Sequence, residues 1–240
     1  MDKVIFRIKK GTPEKWEYRE YEVPVENGTT ILDALYYIRD NIDRTLSFRA
    51  SCRMEVCGSC AVMVNNFPRT ACSTQIKTIG KKVITLEPLA GYPWIRDLVV
   101  DFDGFFKKHE SVKPYLIRKD NPEGQLLQSP EQLAKYKQFT LCIKCGACLA
   151  ACPVAVSDPF YLGPAALAAA YRFNADSRDQ GKNLRLAVVS DAEGCWRCHF
   201  SSECSEACPK DIDPAGAIQK LKVQAAGYEL KKFLHLGVKE

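Results

Sequence analysis

Twelve cysteines occur in three groups along this chain of 240 residues, and their spacing within each group is regular. The groups are Cys52, Cys57, Cys60 and Cys72; Cys142, Cys145, Cys148 and Cys152; and Cys195, Cys198, Cys204 and Cys208. Thiolates at such short intervals are the usual ligands of iron–sulfur clusters, which accept and release electrons. The sequence therefore predicts a chain that holds several clusters in a row and carries electrons between them.

The first group predicts a [2Fe–2S] cluster. Its cysteines are separated by four, two and eleven residues, which is the plant-type C-x4-C-x2-C spacing followed by a distant fourth cysteine. The predicted ligands are Cys52, Cys57, Cys60 and Cys72. Gly58 and Ser59 favour backbone amides that turn toward the sulfur atoms, a common means of tuning the reduction potential. The alternative is a zinc site or a set of buried thiols, but zinc sites usually pair two short C-x2-C elements.

The second and third groups complete each other. The run from Cys142 to Cys152 has the bacterial two-cluster spacing C-x2-C-x2-C-x3-C, and proline follows its last cysteine. In such a run the fourth cysteine ligates the other cluster, so a partner cysteine must come from a second run. That partner is Cys208, which Pro209 follows. The predicted ligands of a [4Fe–4S] cluster are therefore Cys142, Cys145, Cys148 and Cys208.

The third group lacks one cysteine of the standard run. Ser201 stands where the middle cysteine belongs, so three thiolates remain for the last cluster. This count predicts a [3Fe–4S] cluster, the cubane without the iron that has no ligand. The predicted ligands are Cys152, Cys198 and Cys204. Cys195 lies outside the run and is interpreted as a small buried side chain, with a role as an additional ligand as the less favoured alternative.

Composition and charge indicate a folded protein that does not require a nucleic-acid surface. Apolar residues make up 46% of the chain, and basic residues are scattered among acidic ones with a net charge of +5. The opening residues have neither the basic start nor the apolar core of a secretory signal, which predicts a cytoplasmic location and reduced thiols. No segment approaches the roughly 20 apolar residues of a membrane-spanning helix, so we expect any membrane anchor to belong to a partner.

Periodicity predicts a small α+β region at the start of the chain. Apolar residues alternate with polar ones over 4–8 and 21–25, which predicts a hairpin that turns around Gly11-Thr12-Pro13. Further strands are predicted at 61–64, 67–72 and 83–86, with Asn65-Asn66 as a turn and with a helix over 31–42 capped by Thr29-Thr30.

Helical periodicity predicts a different second region. It runs from Trp94 to Lys108 and through most of the chain after Ser129. Ser129-Pro130-Glu131-Gln132 and Asp213-Pro214 are typical helix starts. The last helix is predicted to bury Ile218, Leu221, Ala225 and Tyr228. Polar loops are predicted at 121–124 and 177–183, and the domains at 1–104 and 105–240.

Further motifs surround the cysteines. They are Ser51-Cys52-Arg53-Met54, Cys57-Gly58-Ser59-Cys60, Pro88-Leu89, Ile95-Arg96-Asp97-Leu98-Val99-Val100-Asp101, Gly163-Pro164-Ala165-Ala166, Asp176-Ser177-Arg178-Asp179 and Cys208-Pro209-Lys210. With these motifs nearly the whole chain resembles the iron–sulfur subunits of the succinate dehydrogenase and fumarate reductase family, complex II. The resemblance implies an α+β protein in which a β-grasp, plant-type ferredoxin domain precedes an all-α, bacterial-ferredoxin-like domain with two clusters.

The resemblance also implies partners. A flavoprotein subunit with covalently bound FAD carries the dicarboxylate site, and one or two transmembrane anchor subunits bring a quinone close to the last cluster. Electrons then pass between succinate or fumarate and the quinone, within the tricarboxylic acid cycle and the respiratory chain. This chain supplies no residue that reacts with the dicarboxylate. It is expected at the cytoplasmic face of the membrane, as a peripheral subunit.

Residues of a quinone site are implied by the same resemblance. They are Pro153, His199, Phe200, Gln219 and Lys222. The alternative for Lys222 is a charge on a solvated helix face, and for His199 a core side chain. Ser157 stands where ubiquinone-linked dehydrogenases usually have tryptophan, which weakens a ubiquinone assignment, but the quinone stays open between menaquinone and ubiquinone. The direction of turnover stays open.

Two other interpretations compete with this one. The first is an iron–sulfur subunit of another flavin-dependent dehydrogenase, although such subunits often keep two full cysteine runs and this chain has Ser201. The second is a zinc-binding interaction module built on the C-x2-C pairs at Cys142 and Cys195. It predicts a colourless protein that contains zinc, whereas three clusters predict a brown protein with roughly nine iron atoms.

Overall fold

The chain forms two compact units in the computed structural model, which describes residues 2–120 and 122–235. The first unit contains the residues up to Phe102 together with Ile143–Ala151. The second contains Asp103–Cys142 and the residues from Cys152 onward. The domain division at residues 104 and 105 stays a prediction, and these units differ from it chiefly in the segment 143–151.

The first unit is built on a mixed sheet of five strands. They are β1 (Asp2–Thr12), β2 (Lys15–Val25), β3 (Ala61–Val64), β4 (Phe67–Thr70) and β5 (Val83–Glu87). Their order is β2-β1-β5-β3-β4, with β1 and β5 parallel and the other neighbours antiparallel. Two helices, α1 (Ile31–Asn41) and the short α2 (Ile76–Ile79), accompany the sheet. The predicted strand-rich N-terminal region is thereby confirmed.

Local backbone signals account for the turns of this sheet. β1 and β2 form the predicted hairpin, with Thr12 opposite Lys15. Asn65 and Asn66 join β3 to β4 with φ of 49° and 66°, the left-handed values that a two-residue hairpin turn of type I′ requires and that asparagine tolerates. The predicted turn between these strands is therefore confirmed.

The core of the sheet lies between the strands and α1. Phe6 and Ile8 of β1 are buried against Ile31 and Leu35 of α1 in one apolar cluster. The period of two along the strand and of 3.6 along the helix brings these side chains to facing surfaces. Thr30 begins the helix with a capping box, because its hydroxyl accepts from the backbone of the residue at N3 and its own amide is satisfied in return.

The helix predicted from Trp94 to Lys108 is wrong over its first half. The chain instead forms the short strands β6 (Trp94–Arg96) and β7 (Val99–Val100), and α3 (Asp103–Ser111) begins afterwards. Asp97 causes the difference. It has φ of 46° and is fully buried, and its carboxylate accepts from the amides of Gly11 at 2.7 Å and Ser47 at 2.8 Å. These distant bonds turn the chain at Asp97.

The second unit contains only helices and turns among its described residues, which confirms the predicted helical domain. After α3 the helices are α4 (Pro130–Ala134), α6 (Pro153–Ser157), α7 (Pro164–Asn174), α8 (Lys182–Val189), α9 (Glu203–Glu206) and α10 (Pro214–Phe233); α5 (Ala147–Ala151) belongs to the first unit. Short 3-10 turns occur at Lys137–Leu141 and Cys195–Arg197. Nowhere in residues 2–120 and 122–235 does a helix combine the length and the hydropathy that crossing a bilayer needs.

Both predicted helix starts in this unit are confirmed. Ser129 and Gln132 form a capping box at α4, and the Asp213 carboxylate accepts from the Gly216 amide at α10. On α10 the predicted stripe is buried at Ile218, Leu221 and Ala225, and Tyr228 is half-buried. Because α8 begins at Lys182, the predicted loop 177–183 ends two residues early.

A buried ion pair ties α8 to the segment before it. Arg185 is fully buried and binds the carboxylate of Asp179 through two hydrogen bonds of 2.7 and 2.9 Å. The same guanidinium donates to the backbone carbonyls of Lys113 at 3.0 Å and Tyr115 at 2.6 Å. Its donors are thereby satisfied, which a buried charge requires.

Candidate iron–sulfur centres

The first ligand loop directs backbone amides at sulfur atoms. The Cys52 thiol sulfur accepts N–H groups from Met54 at 3.5 Å and from Val56 and Cys57 at 3.3 Å. The Glu55 amide lies 3.3 Å from the sulfur of another predicted ligand, Cys72. Amides in this arrangement stabilise negative charge on sulfur.

Left-handed backbone makes this loop possible. Arg53 and Glu55 have φ of 58° and 56°, so the chain folds back over Cys52 and exposes its amides to the sulfurs. The Ser59 hydroxyl oxygen lies 3.1 Å from the Cys57 sulfur, a side-chain contact that differs from the backbone amide contact predicted for this residue.

Two thiols of this site, Cys57 and Cys60, differ in acidity. Burial acts to raise the pKa of Cys57, but the Ser59 hydroxyl and backbone amides outweigh it and lower the pKa to about 6. Burial raises the pKa of Cys60 to about 12. Since clusters bind thiolates, iron must displace the proton that burial retains on Cys60.

The donor set fits a [2Fe–2S] cluster. Cys52, Cys57, Cys60 and Cys72 are all reduced, lie in the first unit and include two sulfurs that accept amide N–H groups. Among the described residues, no three His, Cys, Asp or Glu side chains converge on the position of a single metal ion. Ligands of a cluster bind different iron atoms and do not need to converge in this way.

Gly58 brings this loop against a ligand of the next predicted cluster. A Cβ atom placed on Gly58 lies 2.8 Å from both Cα and Cβ of Cys145 and 2.9 Å from the carbonyl oxygen of Ile143. Gly58 also has φ of 72°. The two ligand segments therefore touch through backbone at a point where only glycine fits.

We expect Gly58→Ala to destabilise the first unit by about 3 kcal/mol, since left-handed strain and the backbone clash add together. Thermal bleaching of the visible absorption of the assembled complex should then occur roughly 10 °C lower. Gly80→Ala is the matched control, because Gly80 has φ of 65° but a Cβ atom there meets nothing within 4 Å. Equal shifts of the bleaching temperature in the two variants would show that the close contact with Cys145 does not affect stability.

The predicted ligands of the four-iron cluster are divided between the units. Cys145 and Cys148 belong to the first unit, whereas Cys142 and Cys208 belong to the second. Their common ligation of a [4Fe–4S] cluster therefore stays a prediction. Within the first unit, Tyr92 donates to the carbonyl of Gly146 at 3.0 Å and fixes the loop between Cys145 and Cys148.

The three predicted ligands of the last cluster line one cavity of the second unit. Cys152, Cys198 and Cys204 surround it together with Ser201 and Tyr161. Three thiols and one hydroxyl at one site are a donor set that fits a [3Fe–4S] cluster, in which the hydroxyl marks the position without a thiolate.

Burial and, to a smaller extent, the neighbouring thiols disfavour ionisation of Cys152 and Cys204 without a metal. Burial raises the pKa of Cys204 to about 12, and the charges of Cys152 and Cys198 add to the effect. Burial likewise raises the pKa of Cys152, with a contribution from Cys198. Three thiolates that repel one another in a partly apolar cavity require a cationic core between them.

The predicted quinone residues have different positions around Cys198. Lys222 donates from Nζ to the backbone carbonyl of Cys198 at 2.7 Å, and Gln219 Nε2 lies 3.8 Å from the Cys198 sulfur. His199 and Phe200 are exposed and line the cavity. Pro153 is exposed at the start of α6, next to Cys152.

Cys195 is fully buried, and burial raises its pKa to about 11. It is not among the described residues that line the cavity of Cys152, Cys198 and Cys204. Its interpretation as a small buried side chain stays a prediction.

The sequence did not reveal the roles of two residues at these sites. Gly58 was given the role of orienting amides, but its close approach to Cys145 comes from a contact across some 87 residues of sequence. Tyr161 carries no motif, and its burial beside three cysteines follows from tertiary structure alone. No local signal marks either role.

Comparisons with known proteins agree with the cysteine pattern. Residues 4–107 match the 2Fe-2S iron-sulfur cluster binding domain, and residues 138–212 match the 4Fe-4S dicluster domain. The fumarate reductase iron-sulfur subunit of Mycobacterium tuberculosis is 46% identical, over 98% of this chain and 97% of that protein. The subunit of the same name from Escherichia coli is 50% identical, over 86% of this chain and 85% of that protein.

A solved structure agrees as well. A chain of the Mycobacterium smegmatis Sdh1 complex in the apo form superimposes with a TM-score of 0.87 and 26% identity, over 94% of this chain and 96% of that one. The two cluster-binding regions, the shared length and the shared fold lead to one conclusion: the chain belongs to the family of iron–sulfur electron-transfer subunits of complex II, the fumarate reductases and succinate dehydrogenases.

Proposed function

We propose that this chain relays electrons between the covalent FAD of a partner flavoprotein and a membrane quinone. The first group of cysteines holds a [2Fe–2S] cluster. Cys142, Cys145, Cys148 and Cys208 hold a [4Fe–4S] cluster, and Cys152, Cys198 and Cys204 hold a [3Fe–4S] cluster. Bound in this order, the clusters accept and release electrons one at a time. Oxidation or reduction of the succinate–fumarate pair takes place on the flavoprotein.

One observation carries this proposal beyond family membership. Ser201 shares its cavity with Cys152, Cys198 and Cys204, so the position that lacks a thiolate lies at the same site as the three that remain. A hydroxyl is a poor ligand for iron, and the chain therefore supports a three-iron centre at this end. The alternative flavin dehydrogenase would need a fourth thiolate here, and the zinc module would need a tetrahedral site.

The quinone end is proposed at the face of Cys198. The Lys222 ammonium and the Gln219 amide both reach Cys198, and the side chains of His199 and Phe200 are exposed on the same segment. A cation beside the last cluster stabilises the negative charge that a quinone gains on reduction. Pro153 would contribute an apolar wall next to Cys152.

Ser157 supports menaquinone as the partner. Its hydroxyl donates to the carbonyls of Pro153 at 2.9 Å and Val154 at 3.1 Å, so it is committed to its own helix. Ubiquinone-linked relatives usually offer the indole of tryptophan at this place, which this chain lacks. We propose a peripheral position at the cytoplasmic face of the membrane, held by one or two anchor subunits.

Lys222→Ala tests the quinone end. We expect the rate of quinone-coupled turnover by the purified complex to fall about tenfold, equivalent to ~1.4 kcal/mol of lost transition-state stabilisation. Reduction of an artificial dye by succinate should be unchanged, because electrons leave the chain without reaching the quinone. Both rates are measured on one preparation.

Lys231→Ala is the matched control, since Lys231 is an exposed cation in the last turn of the same helix. It should change neither rate. Equal losses of both activities in Lys222→Ala would instead assign the lysine to structure or to the clusters and would remove it from the quinone site.

A further inference from the structure

Tyr161 has a buried hydroxyl group beside Cys198 that completes no hydrogen bond of normal geometry in the described chain. The side chain is fully buried, and in residues 2–120 and 122–235 its Oη has no hydrogen-bond partner. A buried hydroxyl without a partner costs roughly 1–3 kcal/mol and needs an explanation in a native protein.

The backbone that carries Tyr161 is fixed by two hydrogen bonds. Lys108 donates from Nζ to the backbone carbonyl of Tyr161 at 2.7 Å, and the amide of Leu162 donates to the carbonyl of Glu193 at 3.0 Å. The ring itself is fully buried, so packing on a fixed backbone determines the position of its hydroxyl.

The position of the ring places this hydroxyl beside the predicted ligands of the last cluster. Tyr161 lines the same cavity as Cys152, Cys198 and Cys204. Burial, followed by the charges of the three thiols, raises the pKa of Tyr161 well above its ordinary value. A phenol is protonated at neutral pH even without such effects, so it enters the cavity as a donor.

We propose that the Tyr161 hydroxyl donates a hydrogen bond to sulfur of the third centre, either the Cys198 thiolate or a sulfide of the cluster, and thereby raises its reduction potential. The proposal rests on the proposed function, because it takes the three-iron centre as given. The reduced centre carries one more negative charge than the oxidised one, so a donor to sulfur stabilises it more. Tyr161 would thus set how readily the last centre accepts an electron.

Tyr161→Phe removes the donor and keeps the ring. In the purified complex, the equilibrium for reducing the third centre should become about tenfold less favourable, which lowers its midpoint potential by ~59 mV for one electron. The potential is read from the EPR signal of that centre in a redox titration. The potentials of the other two centres should not change.

Replacement of Tyr161 with 3-fluorotyrosine tests the same bond in the opposite direction. The fluorinated phenol is a stronger donor of similar size, so the midpoint potential should rise. Tyr136→Phe is the control, because Tyr136 is also buried but donates to Gln128 at 2.6 Å, and its loss should leave the potential unchanged.

The outcomes separate the two proposals. Absence of a three-iron EPR signal from the wild-type complex would refute the proposed third centre itself. A normal wild-type signal with no shift in either replacement, or with shifts of the same sign in both, would refute the role of Tyr161 alone. Should Tyr161→Phe fail to assemble, the fluorinated protein decides by the sign of its shift.

Discussion

Cys208→Ser should abolish the four-iron cluster, although Cys208 lies about sixty residues from Cys148, the nearest of the other predicted ligands in sequence. The bacterial two-cluster run assigns Cys208 to the centre held by the second group. Loss of a contact that only supports a metal ligand costs roughly 10–100-fold in metal affinity or activity. Loss of a ligand itself should therefore lower turnover with quinone by more than about a hundredfold. EPR of the reduced complex and iron analysis measure the result.

Cys195→Ser is the control for this change. Cys195 is a buried cysteine of the same segment that the ligand assignment does not use, so all three EPR signals should persist. The crossed ligation is wrong if Cys208→Ser removes the three-iron signal and spares the four-iron one.

Ser201→Cys should convert the third centre from three irons to four. The substitution exchanges one oxygen for sulfur at a position that already lines the cavity of Cys152, Cys198 and Cys204. The new thiolate supplies the missing ligand for the fourth iron, which a [3Fe–4S] cluster lacks. Iron content should rise from roughly nine to roughly ten atoms per chain, and the EPR signal of the oxidised three-iron centre should disappear.

The added negative ligand should also lower the potential of this centre, because more thiolate charge disfavours reduction. Repulsion between the added thiolate charge and the incoming electron should shift the reduction equilibrium by ~1.4 kcal/mol. Quinone-coupled turnover should then fall at least tenfold. Ser202→Cys is the matched control, since Ser202 lines the same cavity but stands outside the C-x2-S-x2-C spacing. Retention of the three-iron signal in Ser201→Cys would contradict the account of the missing ligand.

Local signals made much of the fold predictable. The Asn65-Asn66 turn, the capping box at Ser129 and the cap at Asp213 depend on bonds within four residues, and sequence reasoning located all three. The segment after Trp94 could not be read in this way. Its turn at Asp97 depends on bonds to Gly11 and Ser47, which lie 86 and 50 residues away.

The same distinction between local and long-range interactions applies to the candidate centres. Ligand spacing is a local property, so the cysteines and the exception at Ser201 were predictable from residue types alone. The contact of Gly58 with Cys145 and the burial of Tyr161 are products of tertiary packing. Sequence periodicity contains no signal for either, because glycine and tyrosine are ordinary residues in loops and cores.

Iron and sulfide analysis combined with EPR on the anaerobically purified complex tests the central claim most directly. The account predicts roughly nine iron atoms per chain, one signal of a three-iron centre in the oxidised complex, and signals of a two-iron and a four-iron centre after reduction. A protein without iron, or one whose last centre contains four irons in the wild-type chain, would contradict it.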